Sequence, residues 1–400
     1  MEDNITERLK SENDAPTPLL SVVIATRNRQ KYCTAAIESL FKMDKGRELQ
    51  IAISDNSDSD SLSNYVKILN DPRIVYTYTQ EQLSFIDNFN KVTELATGKY
   101  ICLIGDDDTL LPEIIEHTKW ALEKDVDSFT FKFLNYYWPQ EDDITQNGYL
   151  ILEKQTEKQF KVDVEEQLNA LVKNGFVNYL GYHLPKVYHG VVKMSLLQEI
   201  KNKTGSFYGG LSPDIYASVA LSTVVKNHYH IDKYLSIAGA CPASATAKAP
   251  KGGHCGVLQS APHFKGREFY KWNIEVPKYY SVETIWADSG ICALKELNQQ
   301  QLLIKYNPYK LLIWAIYVNR KHILKLSLRQ TLRWRKDNRV SFFVFFGKLF
   351  SALSTFFFKK FLKSKKNKGE QPKIIYGISD IEQACKCLAD NFPVRKKVEK

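Results

Sequence analysis

Three consecutive carboxylates, Asp106, Asp107 and Asp108, are the side chains in this sequence best suited to chemistry. Side by side they repel one another, and without a cation the cluster costs stability. Mg²⁺ or Mn²⁺, which prefers oxygen ligands, removes that cost. Read without a metal, the same triplet is an acidic turn capping a helix that begins near Pro112. A second candidate is Asp214, which follows Gly209-Gly210-Leu211-Ser212-Pro213 and opens a helical pattern through Ile215, Val219 and Leu221. A carboxylate there either takes a proton from an attacking hydroxyl or caps its own helix. His183, Tyr188 and His189 lie just upstream in a stretch broken by Gly and Pro, which reads as acceptor loops or as ordinary structure.

Those residues need strands to carry them. Ile101 to Ile104 is an apolar, β-prone run, the pattern of a strand buried on both faces, and Gly105 lets the backbone leave it. Ser21 to Ala25 is an earlier strand, followed by the polar turn Thr26-Arg27-Asn28-Arg29 and by helical spacing from Tyr32 to Phe41. Leu49 to Ile53 is a second strand ending in Ser54-Asp55-Asn56-Ser57-Asp58, and Arg73 to Tyr78 is a third. A helix from about Phe85 to Ala96 stops before Gly98. Strands alternating with helices predict right-handed βαβ units and a mainly parallel sheet, with its strand C-termini on one rim. That rim gathers Thr26 and Arg27, Asp55 and Asn56, and the Asp triplet. A nucleotide suits it: Asp55 accepts from a base N–H or a ribose hydroxyl, and a metal holds the diphosphate. The sequence has no Gly-x-Gly-x-x-Gly after the first strand and no Gly-Lys-Ser/Thr loop, which sets aside dinucleotide and P-loop chemistry.

Ser21–Arg29, Leu49–Asp58, Asp87-Asn88-Phe89-Asn90, Ala96-Thr97-Gly98-Lys99-Tyr100 and Ile104–Pro112 resemble, in order and spacing, the successive motifs of family 2 glycosyltransferases. The resemblance covers about the first 110 residues and continues more weakly to about residue 245. It implies the α/β GT-A fold, a Rossmann-like, mainly parallel sheet flanked by helices. It also implies Mn²⁺ or Mg²⁺, a nucleotide-diphospho-sugar donor, here expected to be UDP-linked, and transfer with inversion. Carried over, Ala25, Thr26, Arg27, Asn56 and Asn88 bind the nucleotide, and Asp55 binds its base or ribose. Asp106 and Asp107 face the donor, and Asp106 and Asp108 hold the metal, with Asp108 the direct ligand. Gly105 stands where the family has the first acid of Leu-Asp-x-Asp-Asp, and Ser54 where it has the leading acid of Asp-Asp-Gly-Ser. The ligating carboxylate is therefore open by one position. Asp214 matches the general base. The implied role is bacterial surface-polysaccharide assembly (capsule or O-antigen), with a glycan or lipid-linked acceptor.

Four hundred residues, 44% of them hydrophobic, fill one large domain or two ordinary ones. The expected organisation is a flexible tail (1–18) and a GT-A domain (19–245) with nucleotide-sugar (19–112) and acceptor (113–245) halves. A loop and helical extension (246–305), basic Phe-rich helices (306–368) and a C-terminal tail helix (369–400) follow. The first twenty residues lack an apolar core for a signal peptide, and seven scattered cysteines read as reduced thiols, both pointing to the cytoplasm. The net charge of +10 is uneven: residues 320–368 hold 15 Lys or Arg against Asp337, a local +14, leaving 10 − 14 = −4 elsewhere. Val340 to Phe358 contains eight phenylalanines, with Lys348 at its centre. A cation there disfavours a spanning helix, and an interfacial helix on anionic lipid is expected at the inner face of the cell membrane, ahead of a packed core helix. Nucleic-acid binding fits less well, because the Phe run is contiguous instead of interleaved with the cations. A nucleotidyltransferase is disfavoured because the turn after the first strand lacks glycines. Pro242 to Gly256 reads first as a solvated flexible loop beside the site, and alternatively as one whose Lys248, Lys251 and His254 reach the diphosphate when it closes. Cys241, His254, Cys255 and His263 fit no zinc spacing. The oligomeric state is not legible.

Overall fold

Strand β1 (Leu20–Thr26) is apolar along almost its whole length because it serves two cores at once. Leu20, Val22 and Ile24 enter one core and Val23 the other, as the alternation of side chains along a strand requires. Helix α1 (Gln30–Met43) covers the first core with Cys33, Ala36, Ile37 and Leu40. Strand β2 (Leu49–Asp55) divides in the same way, Ile51 and Ile53 against Ala52. After β3 (Ile74–Tyr78), helix α2 (Phe85–Glu94) covers the second core with Ile86, Phe89 and Val92, and Ser84 caps it by accepting from Asp87 N. Strand β4 (Tyr100–Ile104) completes a parallel set in the order β3-β2-β1-β4. The registers Thr26↔Asp55 and Ile24↔Ile104 bring the C-terminal ends of β1, β2 and β4 to one rim.

The computed structural model describes residues 17–44, 46, 48–140, 148–244, 252–366 and 371–392. Lys248 and Lys251, and most of the expected N-terminal tail, lie outside the described residues.

Beyond β4 the sheet becomes mixed. Strand β5 (Ser128–Tyr137) is flanked on one edge by β6 (Tyr149–Leu152), and helix α3 (Val164–Lys173) leads towards β7 (Gly190–Lys193). β7 runs antiparallel between β4 and β5. Helix α4 (Pro213–Leu221) precedes β8 (His228–Ala240), which pairs parallel with β5. Among the described strands, β1–β5, β8 and the late strand β9 (Lys373–Tyr376) run one way. β6, β7 and the short Thr109–Leu110 and Gln159–Lys161 oppose them, so seven of the sheet's eleven strands share a direction. The sheet is mostly parallel, as expected.

The core does not stop near residue 245. One cluster joins Val23 and Ile101 to Ile215 of α4, to Ala287 and Ile291 of helix α5 (Val282–Glu296), and to Leu311 and Ala315 of helix α6 (Pro308–Asp337). Helix α7 (Phe342–Lys366) folds back on α6, and Tyr309, Leu312, Trp334, Phe345 and Ala352 form a small core between them. Its other face is bare: Phe343 is 87% exposed, Phe350 73% and Phe358 63%. Lys348 lies 5.6 Å over the Tyr309 ring, so it points to the protein and does not interrupt that face. Among the described residues no helix is long and apolar enough to cross a membrane. Helix α8 (Ile381–Asn391), expected as a tail helix, packs Ile381, Ala384 and Leu388 into the core under Trp138 and Tyr234.

Candidate active site

Leaving β4, the chain turns at Gly105, where a Cβ would lie 2.8 Å from Asp108 Oδ2. The space that a side chain needs at this position is already taken by Asp108. Gly239 N donates to Asp108 Oδ1 at 2.7 Å, and that approach requires glycine, since a Cβ on residue 239 would lie 1.8 Å from the Asp107 carbonyl oxygen. Asp108 Oδ2 accepts from Gly105 N at 2.6 Å and from Tyr188 O–H at 3.0 Å, and lies 3.1 Å from His189 Nε2. Burial alone would raise the Asp108 carboxyl; His189 and the backbone donors outweigh it and hold the group below its usual range. Both Asp108 oxygens are thus engaged by protein donors that brace the turn. For Asp108 to be the expected direct metal ligand one of those donors must yield, as Arg29 must at Asp106.

The other two acids face a cation supplied by the chain. Asp106 Oδ2 accepts from Thr26 Oγ1 at 2.6 Å, and its Oδ1 lies 2.7 Å from Arg29 Nη2. Asp107 Oδ2 accepts from Cys241 N at 2.9 Å, and its Oδ1 lies 3.5 Å from Arg29 Nη1. Burial pushes Asp106 up to about 7, against the pull of Arg29, and burial followed by Asp108 raises Asp107. Arg29 was not singled out from the sequence as a site residue, although it lies inside the first motif. Among the described residues no group of three or more His, Cys, Asp or Glu side chains converges to cage a metal. The donor set nevertheless fits Mg²⁺ or Mn²⁺ held by one or two carboxylates and the phosphates of a substrate. Asp107 Oδ1 is the most loosely held oxygen of the triplet.

Arg29 also borders a cavity of about 210 Å³. Ala25, Thr26, Arg27, Asn56 and Asn88, all expected at the nucleotide, line it together. Asn88 Nδ2 donates to the Thr26 carbonyl at 3.3 Å, and its Oδ1 is buried with no protein partner, an acceptor free for a ligand N–H. Asn56 holds one wall: Nδ2 donates to the Thr79 and Glu81 carbonyls at 2.7 and 2.6 Å, and Oδ1 accepts from Leu83 N at 2.9 Å. Asp55 is not in the cavity. It is fully buried, accepting from Ser57 N at 2.9 Å and from Tyr76 O–H at 2.8 Å. Consecutive residues at a strand end face opposite ways, so Asn56 faces the site and Asp55 the interior. The cavity also has Phe85, Pro262 and Lys265, which sequence reasoning missed. The segment carrying Pro262 and Lys265 is anchored by His263, packed edge-on against Phe85 and Tyr280, and comes from far along the chain, where no local pattern marks it.

Asp214 sits in the first turn of α4, where Ser212 Oγ donates to its Oδ1 and the Tyr179 hydroxyl meets its carbonyl oxygen at 3.4 Å. Burial raises its pKa, opposed by Ser212 and by the cation of Lys186. Lys186 is itself pushed down by burial to about 8. The stretch that brings Lys186 towards Asp214 continues into Tyr188 and His189, which hold Asp108. One short segment therefore ties the two acidic centres together. His189 is buried between Asp108 and Ser236, whose Oγ is 2.8 Å from its Nδ1, so it braces the turn and does not form an acceptor loop. His183 packs against His230, with ring centroids 4.0 Å apart and the planes tilted by 42°. His254, expected at the diphosphate, has Nδ1 3.0 Å from the Tyr280 hydroxyl.

Residues 21–176 match the sequence profile described as Glycosyl transferase family 2. The chain is 35% identical over 97 residues to the GalNAc(5)-diNAcBac-PP-undecaprenol beta-1,3-glucosyltransferase of Campylobacter jejuni, a match covering 24% of this chain and 31% of that protein. It is 28% identical over 189 residues to an uncharacterized glycosyltransferase of Methanocaldococcus jannaschii, covering 46% of this chain and 59% of that one. The chain thus spans less than two thirds of the length of either relative. Among solved structures, Staphylococcus aureus TarS 1–349 in complex with UDP-GlcNAc aligns with a TM-score of 0.42 and 16% identity over 57% of this chain and 60% of that one, a likeness too slight to carry an argument.

Proposed function

Because its residues 21–176 form a glycosyl transferase family 2 domain, we propose that this chain transfers a sugar from a nucleotide-diphospho-sugar, with UDP as the nucleotide, to a hydroxyl of a glycan or lipid-linked acceptor, inverting the anomeric centre. The observation that carries this reading is the position of Arg29, which grips Asp106 and Asp107 and lines the cavity shared by Ala25, Thr26, Asn56 and Asn88. A nucleoside seated in the cavity offers its base N–H to Asn88 Oδ1. Its diphosphate then meets Arg27, Arg29 and Lys265. Asp107 and Asp106, together with the donor phosphates, would hold Mg²⁺ or Mn²⁺, which would supply charge neutralisation for the departing nucleoside diphosphate. Asp214 takes the proton of the acceptor hydroxyl while that oxygen bonds to the anomeric carbon. The bond from that carbon to the diphosphate breaks, its electron pair leaving with the phosphate oxygen. Attack from the face opposite the leaving group inverts the configuration.

The acceptor belongs to surface-polysaccharide assembly on this reading, in line with the relative named for a diphosphoundecaprenol-linked glycan. The bare Phe face of α7 beside a local charge of +14 suits an anionic membrane surface and supports the reading of an enzyme held peripherally on the cytoplasmic leaflet. The test is a panel of UDP-, GDP- and dTDP-sugars with Mn²⁺, read as nucleoside diphosphate release. Release from one donor, lost in EDTA and restored by Mn²⁺, is expected. Pyrophosphate release from a sugar 1-phosphate and a nucleoside triphosphate would instead make the chain a nucleotidyltransferase.

A further inference from the structure

None of the described residues lining the nucleotide cavity comes from α5, yet two neighbouring side chains of that helix hold the segments on either side of the site. Asp288 is fully buried and is committed to one stretch of chain. Its Oδ1 accepts from Asn273 N at 2.8 Å and from Asn273 Nδ2 at 2.9 Å, and its Oδ2 accepts from the Tyr270 hydroxyl at 2.6 Å. That stretch is the end of the strap that carries Pro262 and Lys265 into the cavity. Further along, the strap lies close on the cap of α2, where a Cβ on Gly266 would come within 3.2 Å of Ser84. Burial pushes the Asp288 carboxyl up to about 6, while Tyr270 and Asn273 pull it down, so the ionised acid and the seated strap stabilise each other. Ser289, the next residue, faces the other segment. Its Oγ accepts from Leu211 N and Ser212 N, both at 3.0 Å. Gly210 permits that approach, with φ 62° and no room for a Cβ, which would lie 2.8 Å from Ser289 Cβ. Ser212 in turn donates to Asp214 Oδ1. Leu211, Ala261 and Ile285 share a small core on which Phe264 and Tyr270 rest, so the strap and the Asp214 loop meet on this face of α5.

We propose that Asp288 and Ser289 are positioning residues that fix Lys265, the cation offered to the donor diphosphate, relative to Asp214, the acceptor's base. Asp288 acts through Tyr270 and Asn273 on the strap bearing Lys265, and Ser289 acts through Ser212 on Asp214. Adjacent residues on one buried helix hold two loops in a fixed relation that neither loop can set alone. The two ties separate in function: the first governs donor binding and the second the proton transfer. This inference rests on the transferase reading for the roles of Lys265 and Asp214, but the hold on the strap is tested without it.

The full chain is treated with trypsin well below its Tm, and cleavage after Lys265, Arg267 and Lys271 is followed by mass spectrometry. Asp288→Ala is expected to speed those cuts at least about tenfold relative to cuts elsewhere in the chain. Tyr270→Phe, which removes one hydroxyl and keeps the ring in its core, guards against misfolding and is expected to speed them about threefold. UDP and uridine are then titrated by calorimetry. Asp288→Ala is expected to weaken UDP about tenfold and uridine no more than about threefold, because only the diphosphate meets Lys265. In a Lys265→Gln background the same change is expected to weaken UDP no further. Ser289→Ala is expected to lower kcat about tenfold at unchanged donor KM, and to lower it no further in Asp214→Asn. Strap cuts at the wild-type rate in both Asp288→Ala and Tyr270→Phe would overturn the hold. Equal weakening of UDP and uridine, or losses that add to those of Lys265→Gln, would leave Asp288 a purely structural group and overturn its role. A wild-type kcat in Ser289→Ala would do the same for Ser289. Faster strap cuts in a protein that binds no nucleoside diphosphate and releases none from any donor would keep the hold on the strap and discard the transferase reading.

Discussion

The acidic rim and the basic hairpin of this molecule are completed to different degrees. At the rim the acidic triplet is held from within the chain: Thr26 on Asp106, Cys241 N on Asp107, and Gly105, Gly239, Tyr188 and His189 on Asp108. On the hairpin, phenylalanines stand in solvent beside lysines and arginines. Buried polar groups are costly to leave unsatisfied, so the rim is largely preorganised: a ligand there meets a free acceptor at Asn88 Oδ1 but has to displace Arg29 from Asp107. An apolar patch rimmed by cations carries no such internal solution and calls for cover from outside the chain. The first region acts by exchange, the second by addition.

The largest expected effect lies at Asp214, the acidic centre in the first turn of α4 that the Lys186–His189 segment ties to the rim. Asp214→Asn keeps the shape and loses the ability to accept a proton, so kcat should fall about 10²-fold or more with little change in donor KM. Burial raises the Asp214 carboxyl, and the active form is the carboxylate. Activity should therefore fall on acidification through a value above the ordinary carboxylate range. Lys186 lowers that value, so Lys186→Gln should move the acid limb to higher pH. A profile unmoved by Lys186→Gln, or a full kcat in Asp214→Asn, would place the base elsewhere.

Next in size is the contrast within the triplet. Asp108→Asn turns an amide N–H towards the Gly105 or Gly239 donors and should cost about 3 kcal/mol of stability, seen as a lower Tm without any ligand. Asp107→Asn leaves Arg29 paired with Asp106 and relieves repulsion, so its Tm should stay near wild type while Mn²⁺-supported turnover drops about 10²-fold. Calorimetry and steady-state assays on the two variants check this. The opposite pattern would make Asp108 the ligand and Asp107 the brace.

The parts of this arrangement that were legible in the sequence are those fixed by local alternation. The runs Ser21–Ala25, Leu49–Ile53 and Ile101–Ile104 predicted the parallel strands, because buried strands are apolar on both faces and their ends deliver the polar turns. The division of labour among the acids was not legible, since it depends on Gly239, 131 residues beyond Asp108. Asp55 and Asn56 were both placed at the nucleotide, because the composition of a strand end does not reveal which residue faces in. Lys265 and Pro262 reach the cavity through a segment with no periodicity to read. The extension after residue 245 was expected to be separate, yet its α5 is buried almost throughout. A helix apolar on all sides belongs inside a core, and the run Ser289-Gly290-Ile291-Cys292-Ala293-Leu294 carried that signal.

The smallest effect on the enzyme, and the sharpest on the comparison, belongs to the bare face of α7. Phe343 and Phe350 are seven residues apart, two turns along the same side of the helix, and neither enters the small core built on Phe345 and Trp334. Replacing both by Ser removes apolar surface that water already touches, so stability should change by no more than about 0.5 kcal/mol. Turnover of a water-soluble acceptor should be untouched. Binding to anionic vesicles should weaken at least about tenfold, since each phenylalanine inserted in the headgroup region contributes on the order of 1–2 kcal/mol. The cations remain in the variant, each adding about 1 kcal/mol near an anionic surface, so its residual binding should vanish in high salt, whereas wild-type binding should be weakened but retained. Vesicle co-sedimentation at two salt concentrations reads both quantities. A lowered Tm with unchanged vesicle binding would show that the face is packed against protein, and the hairpin would then be as internally complete as the rim.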